Sequence, residues 1–109
     1  MYKSVNGMVL SKDGKTLYFG TNGEVSIPSG VTAIYICAFS GRKNLTRVTI
    51  PTTVTEIGID AFHGCSNLTS LTFTATSKVA TICEMAFSGT RFTSFTCPAS
   101  VKTIKDGAF

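Results

Sequence analysis

The side chains that could do chemistry are few in this chain and poorly placed for it. There is one histidine, four cysteines and six carboxylates. His63 has no acid partner that spacing identifies, and no serine or cysteine sits in a G-x-S-x-G elbow, so a nucleophile–base relay is not encoded. Cys37, Cys65, Cys83 and Cys97 are irregularly spaced and form no C-x-x-C pair, which is the wrong pattern for zinc. Free thiols are expected, with one disulfide between neighbouring segments as the alternative. Cys97 stands where Ile27, Ile50 and Phe73 stand elsewhere, which makes it a small buried apolar residue. Asp13, Glu24, Glu56, Asp60, Glu84 and Asp106 are scattered over turns and caps, and nothing sets two of them at the separation hydrolases use. The glycines are spread one per turn, so no loop cradles a phosphate. These residues point to no catalytic centre, no metal and no cofactor.

Composition narrows the class further. A chain of 109 residues is one domain's worth, and its 43% apolar content supports a small core. Only 15% is charged, while Ser and Thr are plentiful among β-branched neighbours, which favours strands. No apolar run approaches the ~18–20 residues that span a bilayer. No signal peptide is visible in the opening MYKSVNGMVLSKDG. The chain stops at Phe109 in mid-repeat, so it is expected to be an excised piece with an open apolar end that frays or associates end to end. The net charge of +4 is dispersed. Arg42, Lys43 and Arg47 are the only local basic group and read as a solvated turn. Without interleaved aromatics they do not read as a nucleic-acid site.

The elements that hold these side chains repeat along the chain. Ala-Phe recurs at Ala38-Phe39, Ala61-Phe62, Ala86-Phe87 and Ala108-Phe109, with the phenylalanines 23, 25 and 22 residues apart. A period in the twenties marks small stacked units, none able to bury its apolar face alone. Each unit opens with L-x-x-L-x-L spacing: Leu45, Val48, Ile50; Leu68, Leu71, Phe73; Phe92, Phe95, Cys97; the first keeps Val25 and Ile27. Alternation of period two turns these inward from a strand. Pro28, Pro51 and Pro98 end the strand, with Thr74 in that place in the third unit. A second short extended segment follows, at Val31–Ile34, Val54–Ile57, Val79–Ile82 and Val101–Ile104. Asp60 is then placed to cap one helical turn holding Ala61 and Phe62, with Asp106 in the related place. Gly41, Gly64 and Gly89 close the turn at positive φ. Asn44 and Asn67, both in glycosylation-like sequons, read instead as left-handed turn residues before the strand.

Residues 1–24 lie outside the repeat and read as a capping hairpin, with strands MVLS and TLYF around Asp13-Gly14 and further turns at Asn6-Gly7 and Asn22-Gly23. The repeats follow as 25–47, 48–70, 71–94 and a partial 95–109. The fold class is a right-handed repeat solenoid, mainly β. A parallel sheet forms one face, and short extended or helical turns form the other. The phenylalanines should form one column through the core.

The string I-P-x-x-V-x-x-I-x-x-x-A-F-x-G-C-x-x-L after L-x-x-L-x-L, fullest in LTRVTIPTTVTEIGIDAFHGCSNL, resembles the BspA-like leucine-rich repeat family over residues 25–109. Thr53 stands where other leucine-rich repeats carry an Asn, so an internal Asn ladder is not expected. The resemblance implies a secreted or cell-surface bacterial or protozoan protein, some relatives adhering to host matrix proteins such as fibronectin and fibrinogen. It carries over no binding residue.

The surface that could bind is the outer side of the main strands: Ser26; Thr46, Arg47 and Thr49; Thr69, Ser70 and Thr72; Thr93, Ser94 and Thr96, with Glu24 at the start. Ser26, Thr49, Thr72 and Thr96 should form a hydroxyl row. The function expected is non-catalytic adhesion to a protein ligand at the cell surface. Structural spacing within a larger surface protein, or glycan binding, is the alternative. No nucleic acid and no membrane insertion are expected. With no tryptophan, and Tyr2, Tyr18 and Tyr35 outside the row, sugar platforms look poorly supplied.

Overall fold

In the computed structural model, residues 2–74, 76–92 and 98–109 are described. The chain winds into stacked coils whose apolar side chains meet inside. Among the described residues ten strands form: β1 (Tyr2–Val5), β2 (Met8–Ser11), β3 (Thr16–Phe19), β4 (Gly23–Ser26), β5 (Ala33–Ile34), β6 (Leu45–Ile50), β7 (Glu56–Ile57), β8 (Ser70–Phe73), β9 (Thr81–Ile82) and β10 (Thr103–Ile104). Two sheets enclose the core. Among the described residues the first, of three parallel strands, has the order β4-β6-β8; the second has the order β1-β2-β3-β5-β7-β9-β10. Each of the first three coils thus adds one main strand to the first sheet and a two-residue strand to the second.

The second sheet joins the cap to the coils. Asn6 and Gly7, at φ 50° and 82°, make the two-residue turn between β1 and β2. Strand β1 extends the hairpin anticipated around Asp13-Gly14. β3 then pairs parallel with β5, Leu17 opposite Ile34, and the same register passes Ile34 to Ile57 and Ile57 to Ile82. The inward positions are as the alternation requires: Val25, Ile27, Leu45, Val48, Ile50 and Leu68 are buried, while Leu71, Phe73 and Phe92 pack half-buried against them. Phe95 and Cys97 lie outside the described residues.

The phenylalanine column forms. Phe39 and Phe62 stack with centroids 4.8 Å apart and planes 9° apart; Phe62 and Phe87 follow at 5.2 Å and 5°, Phe87 and Phe109 at 5.3 Å and 15°. Nearly parallel rings at these separations are offset stacks, which the ring quadrupole favours over a face-to-face sandwich. The first three rings are wholly buried.

The Ala-Phe segment departs from expectation. No helix forms among the described residues. Its amides alternate instead. Cys37, Phe39 and Gly41 donate to the carbonyls of Ile59, Ala61 and His63 in the next coil, while Ala38, Ser40 and Arg42 donate three residues back, to Tyr35, Cys37 and Phe39. From Cys37 to Arg42 every N–H is satisfied without a helix. The residue before each Ala takes a left-handed conformation: Cys37, Asp60, Met85 and Gly107, at φ 61°, 56°, 56° and 67°. Asp60 is therefore a left-handed turn residue, not a helix cap, and its counterpart in the last coil is Gly107 rather than Asp106. Gly41, Gly64 and Gly89 do sit at positive φ. Asn44 and Asn67 do not. The Asn67 side chain instead donates Nδ2 to the Lys43 carbonyl of the preceding coil at 2.7 Å, so it ties coils together without the left-handed backbone.

Hydroxyls take the place of an Asn ladder at the Pro bend. Thr53 Oγ1 donates to the Val31 carbonyl at 2.7 Å and accepts from the Gly30 amide at 3.3 Å. Ser100 Oγ repeats the bond to the Val79 carbonyl at 2.7 Å. A turn can be satisfied by one donor–acceptor group reaching across one coil, and a hydroxyl is such a group.

Candidate functional site

The outer face of the three-stranded sheet is assembled by register. Ser26 lies opposite Thr49, and Thr49 opposite Thr72. One step earlier, Glu24 lies opposite Arg47 and Arg47 opposite Ser70. The strands alternate, so these residues point outward because Val25, Val48 and Ile50 point inward. Thr46 and Thr69 continue the face. The Thr46 side chain donates to the Gly23 carbonyl at 3.3 Å, and the Thr69 amide donates to the Thr46 carbonyl at 3.2 Å. Thr93, Ser94 and Thr96 lie outside the described residues.

Charge on this face is slight. Arg47 Nη1 approaches Glu24 Oε1 at 3.9 Å, with both side chains more than half exposed. Such a pair is worth at most ~1 kcal/mol and orients little. Beside β4 opens a groove of about 260 Å³ lined by Asn6, Met8, Thr21, Glu24, Val25 and Ser26. That is below the ~300–1,000 Å³ of ordinary small-molecule sites. The face presents mainly hydroxyl side chains.

Two of the cysteines are held protonated by their surroundings. Cys65 is buried and donates Sγ–H to the Phe39 carbonyl at 3.0 Å. Burial pushes its thiol up to about 11, only partly opposed by the Arg42 backbone and charge. Cys83 is raised by burial first and by the carboxylate of Glu56 next, with Glu56 Oε2 at 3.7 Å. Neither is a thiolate near neutral pH, and a protonated thiol is a poor nucleophile and metal ligand. Cys37 is exposed; Cys37, Cys65 and Cys83 are all free. No three His, Cys, Asp or Glu side chains among the described residues come together as a metal site. His63 is half-buried and its Nδ1 has no hydrogen-bond partner.

One arrangement was invisible at the level of spacing. Tyr2, Tyr18 and Tyr35 are brought into one ladder on the outer side of the seven-stranded sheet, with centroids 5.1 and 5.0 Å apart. Pairing of β3 with β5 sets Tyr18 beside Tyr35, one residue beyond Leu17 and Ile34. The rings meet edge to face, at 88° and 72°, so they do not form a flat sugar-stacking platform.

Coils that alternate a main strand, a bend, a short strand and an Ala-Phe turn define a leucine-rich repeat solenoid. The signature of a BspA type leucine rich repeat region matches residues 16–109, in six copies. The chain belongs to the BspA-type leucine-rich repeat family. Among solved structures it is similar to the pneumococcal vaccine antigen PcpA, with a TM-score of 0.86 at 20% identity over 94% of this chain and 26% of that one. It is also similar to a leucine-rich repeat protein of Bacteroides capillosus, with a TM-score of 0.80 at 26% identity over 95% of this chain and 87% of that one. A third is a leucine-rich cell surface protein of Faecalibacterium prausnitzii, with a TM-score of 0.76 at 29% identity over 97% of this chain and 33% of that one. The chain therefore spans about a quarter of the first and a third of the last. No curated protein matches. Among the described residues no helix is long and apolar enough to cross a membrane.

Proposed function

We propose that the chain is a non-catalytic, surface-exposed repeat module that binds a protein partner through the outer face of β4, β6 and β8. The supporting observation is the in-register row of Ser26, Thr49 and Thr72, flanked by Arg47, Ser70, Thr46 and Thr69. Parallel strands at fixed spacing hold these hydroxyls rigidly, so little side-chain entropy is lost when a partner docks. A cell-surface or secreted setting fits the family and the F. prausnitzii surface protein it is similar to.

Surface-plasmon measurements against immobilised fibronectin and fibrinogen test the face. Thr72→Arg puts a long charged side chain in the centre of the row and should weaken binding tenfold or more. Arg47→Ala should weaken it less. Binding unchanged by both substitutions removes this face from the reading, and no binding at all favours the spacer role.

A further inference from the structure

The cap and the first two coils carry an apolar strip that the core does not use. Its spine is the ladder of Tyr2, Tyr18 and Tyr35. Phe19, Ile36 and Ile59 lie alongside, each two residues past the register-matched Leu17, Ile34 and Ile57. Tyr2 is 65% exposed, Phe19 55%, Tyr35 50%, Ile36 48% and Ile59 39%. With about half of each ~200 Å² side chain in water, the strip presents roughly 500 Å². A patch this large is at the top of what a monomer ordinarily shows. With its polar rim it approaches the ~800 Å² that each partner contributes to a standard interface.

The two ends of the strip carry opposite charge. At the cap end are Lys12 and Lys15 of the β2–β3 turn, against one carboxylate, Asp13; Lys3, opposite the buried Leu10, lies on the other face of its strand. At the far end Glu56 and Asp60 flank Ile57 and Ile59, and the charge of Lys105 in the last coil reaches Cys83, beside Glu56. We propose that this strip is the interface for a second copy of the chain, related by a two-fold axis. The two-fold reverses one strip against the other, so each lysine-bearing cap faces the partner copy's Glu56 and Asp60. The parallel alignment would set like charge on like. Both halves of the complementarity reside on one chain, which is what an isologous contact requires. The three-stranded sheet lies on the other side of the coil and stays open. The pair would thus offer two binding faces and gain avidity, but dimerisation itself does not depend on what that face binds.

Sedimentation velocity from micromolar to several hundred micromolar protein tests the proposal. The expected result is a monomer–dimer equilibrium that weakens as salt rises, because the rim charges are screened. Tyr35→Arg and Ile36→Lys should each weaken it tenfold or more. Ile36→Lys leaves the tyrosine ladder intact, and circular dichroism confirms that both variants fold. Glu56→Lys should weaken it several-fold, and Lys12→Glu with Lys15→Glu on the same chain should restore it. A strict monomer throughout overturns the proposal. So does a dimer indifferent to both apolar substitutions, or one abolished by Phe109→Ser instead, which would place the contact at the coil end.

Discussion

The cap and the coils put opposite residues at the same place. In the coils, the amides of Phe39, Phe62 and Phe87 donate to the carbonyls of Ala61, Ala86 and Ala108, each at 2.7 Å. In the cap, the amide of Gly20 donates to the Ala38 carbonyl at 2.8 Å. Gly20 therefore occupies the phenylalanine position with no side chain. A Cβ there would lie 1.9 Å from the Phe39 ring. The coils continue the aromatic column and the cap ends it by letting Phe39 lie flat on backbone. The next position differs in the same spirit. Arg42 Nε covers the Gly20 carbonyl at 3.2 Å, whereas Cys65 Sγ covers the Phe39 carbonyl at 3.0 Å. Where the coil meets the cap a long half-buried cation fills this position; inside the stack it is held by the small side chains of Cys65 and Thr90. At this position the end of the stack keeps the backbone hydrogen bond of the coils and changes only the size of the side chain.

Perturbing the column and its floor separates the two. Phe62→Ala should cost about 3–5 kcal/mol by urea denaturation, since it empties a fully buried site between two stacked rings. A loss under ~1 kcal/mol would mean the column does not hold the coils together. Gly20→Ala should cost about 1–3 kcal/mol, because the Phe39 ring must be displaced from its floor. An unchanged midpoint would show that the cap tolerates a side chain as the coils do.

Cys65 gives a pH-dependent test of the coil position. Its folded thiol lies at about 11 against an ordinary 9.0. The folded state holds the proton more tightly, so this stabilisation is complete below about pH 9 and is lost as pH rises towards 11. The loss should be on the order of 1–2 kcal/mol after solvent screening, and Cys65→Ser should flatten that part of the stability profile. Met85→Gly should instead stabilise by about 0.5–1 kcal/mol, because Met85 is 42% exposed and sits at φ 56°, where Gly107 sits in the last coil. The smallest effect belongs to the cap. The Asp13 carboxyl is held below its ordinary range by the Ser11 hydroxyl first and the Lys15 amide next. Its contribution is therefore present above the ordinary carboxylate range and fades as pH falls through the lowered value. Ser11→Ala should move its NMR titration midpoint upward.

Much of this was legible in the chain. The Ala-Phe recurrence placed the four rings in one column, and the period-two spacing of Val25, Ile27, Val48 and Ile50 assigned inside and outside correctly. The alignment of Ser26, Thr49 and Thr72 followed from the same alternation, and Thr96 lies outside the described residues. Asp60 was misread because a single acidic residue before Ala-Phe looks like a helix cap, and only the backbone reveals a left-handed residue whose amide feeds the next coil. Thr53 was seen as a missing Asn, yet its hydroxyl makes two of the contacts that bend requires. Tyr2, Tyr18 and Tyr35 come from three different strands at unrelated offsets, so no periodicity links them.

A repeating sequence fixes whatever each unit does identically: the coil, its inward face and the stacking of like on like, because equivalent residues meet equivalent residues at every step. What happens where unlike segments touch is set by the assembled structure alone. The flat seat of Phe39 on Gly20, the tyrosine ladder and the charge-graded strip arise where a hairpin meets the first coils. Contacts between non-equivalent positions depend on register and sheet order, and neither is written in a period.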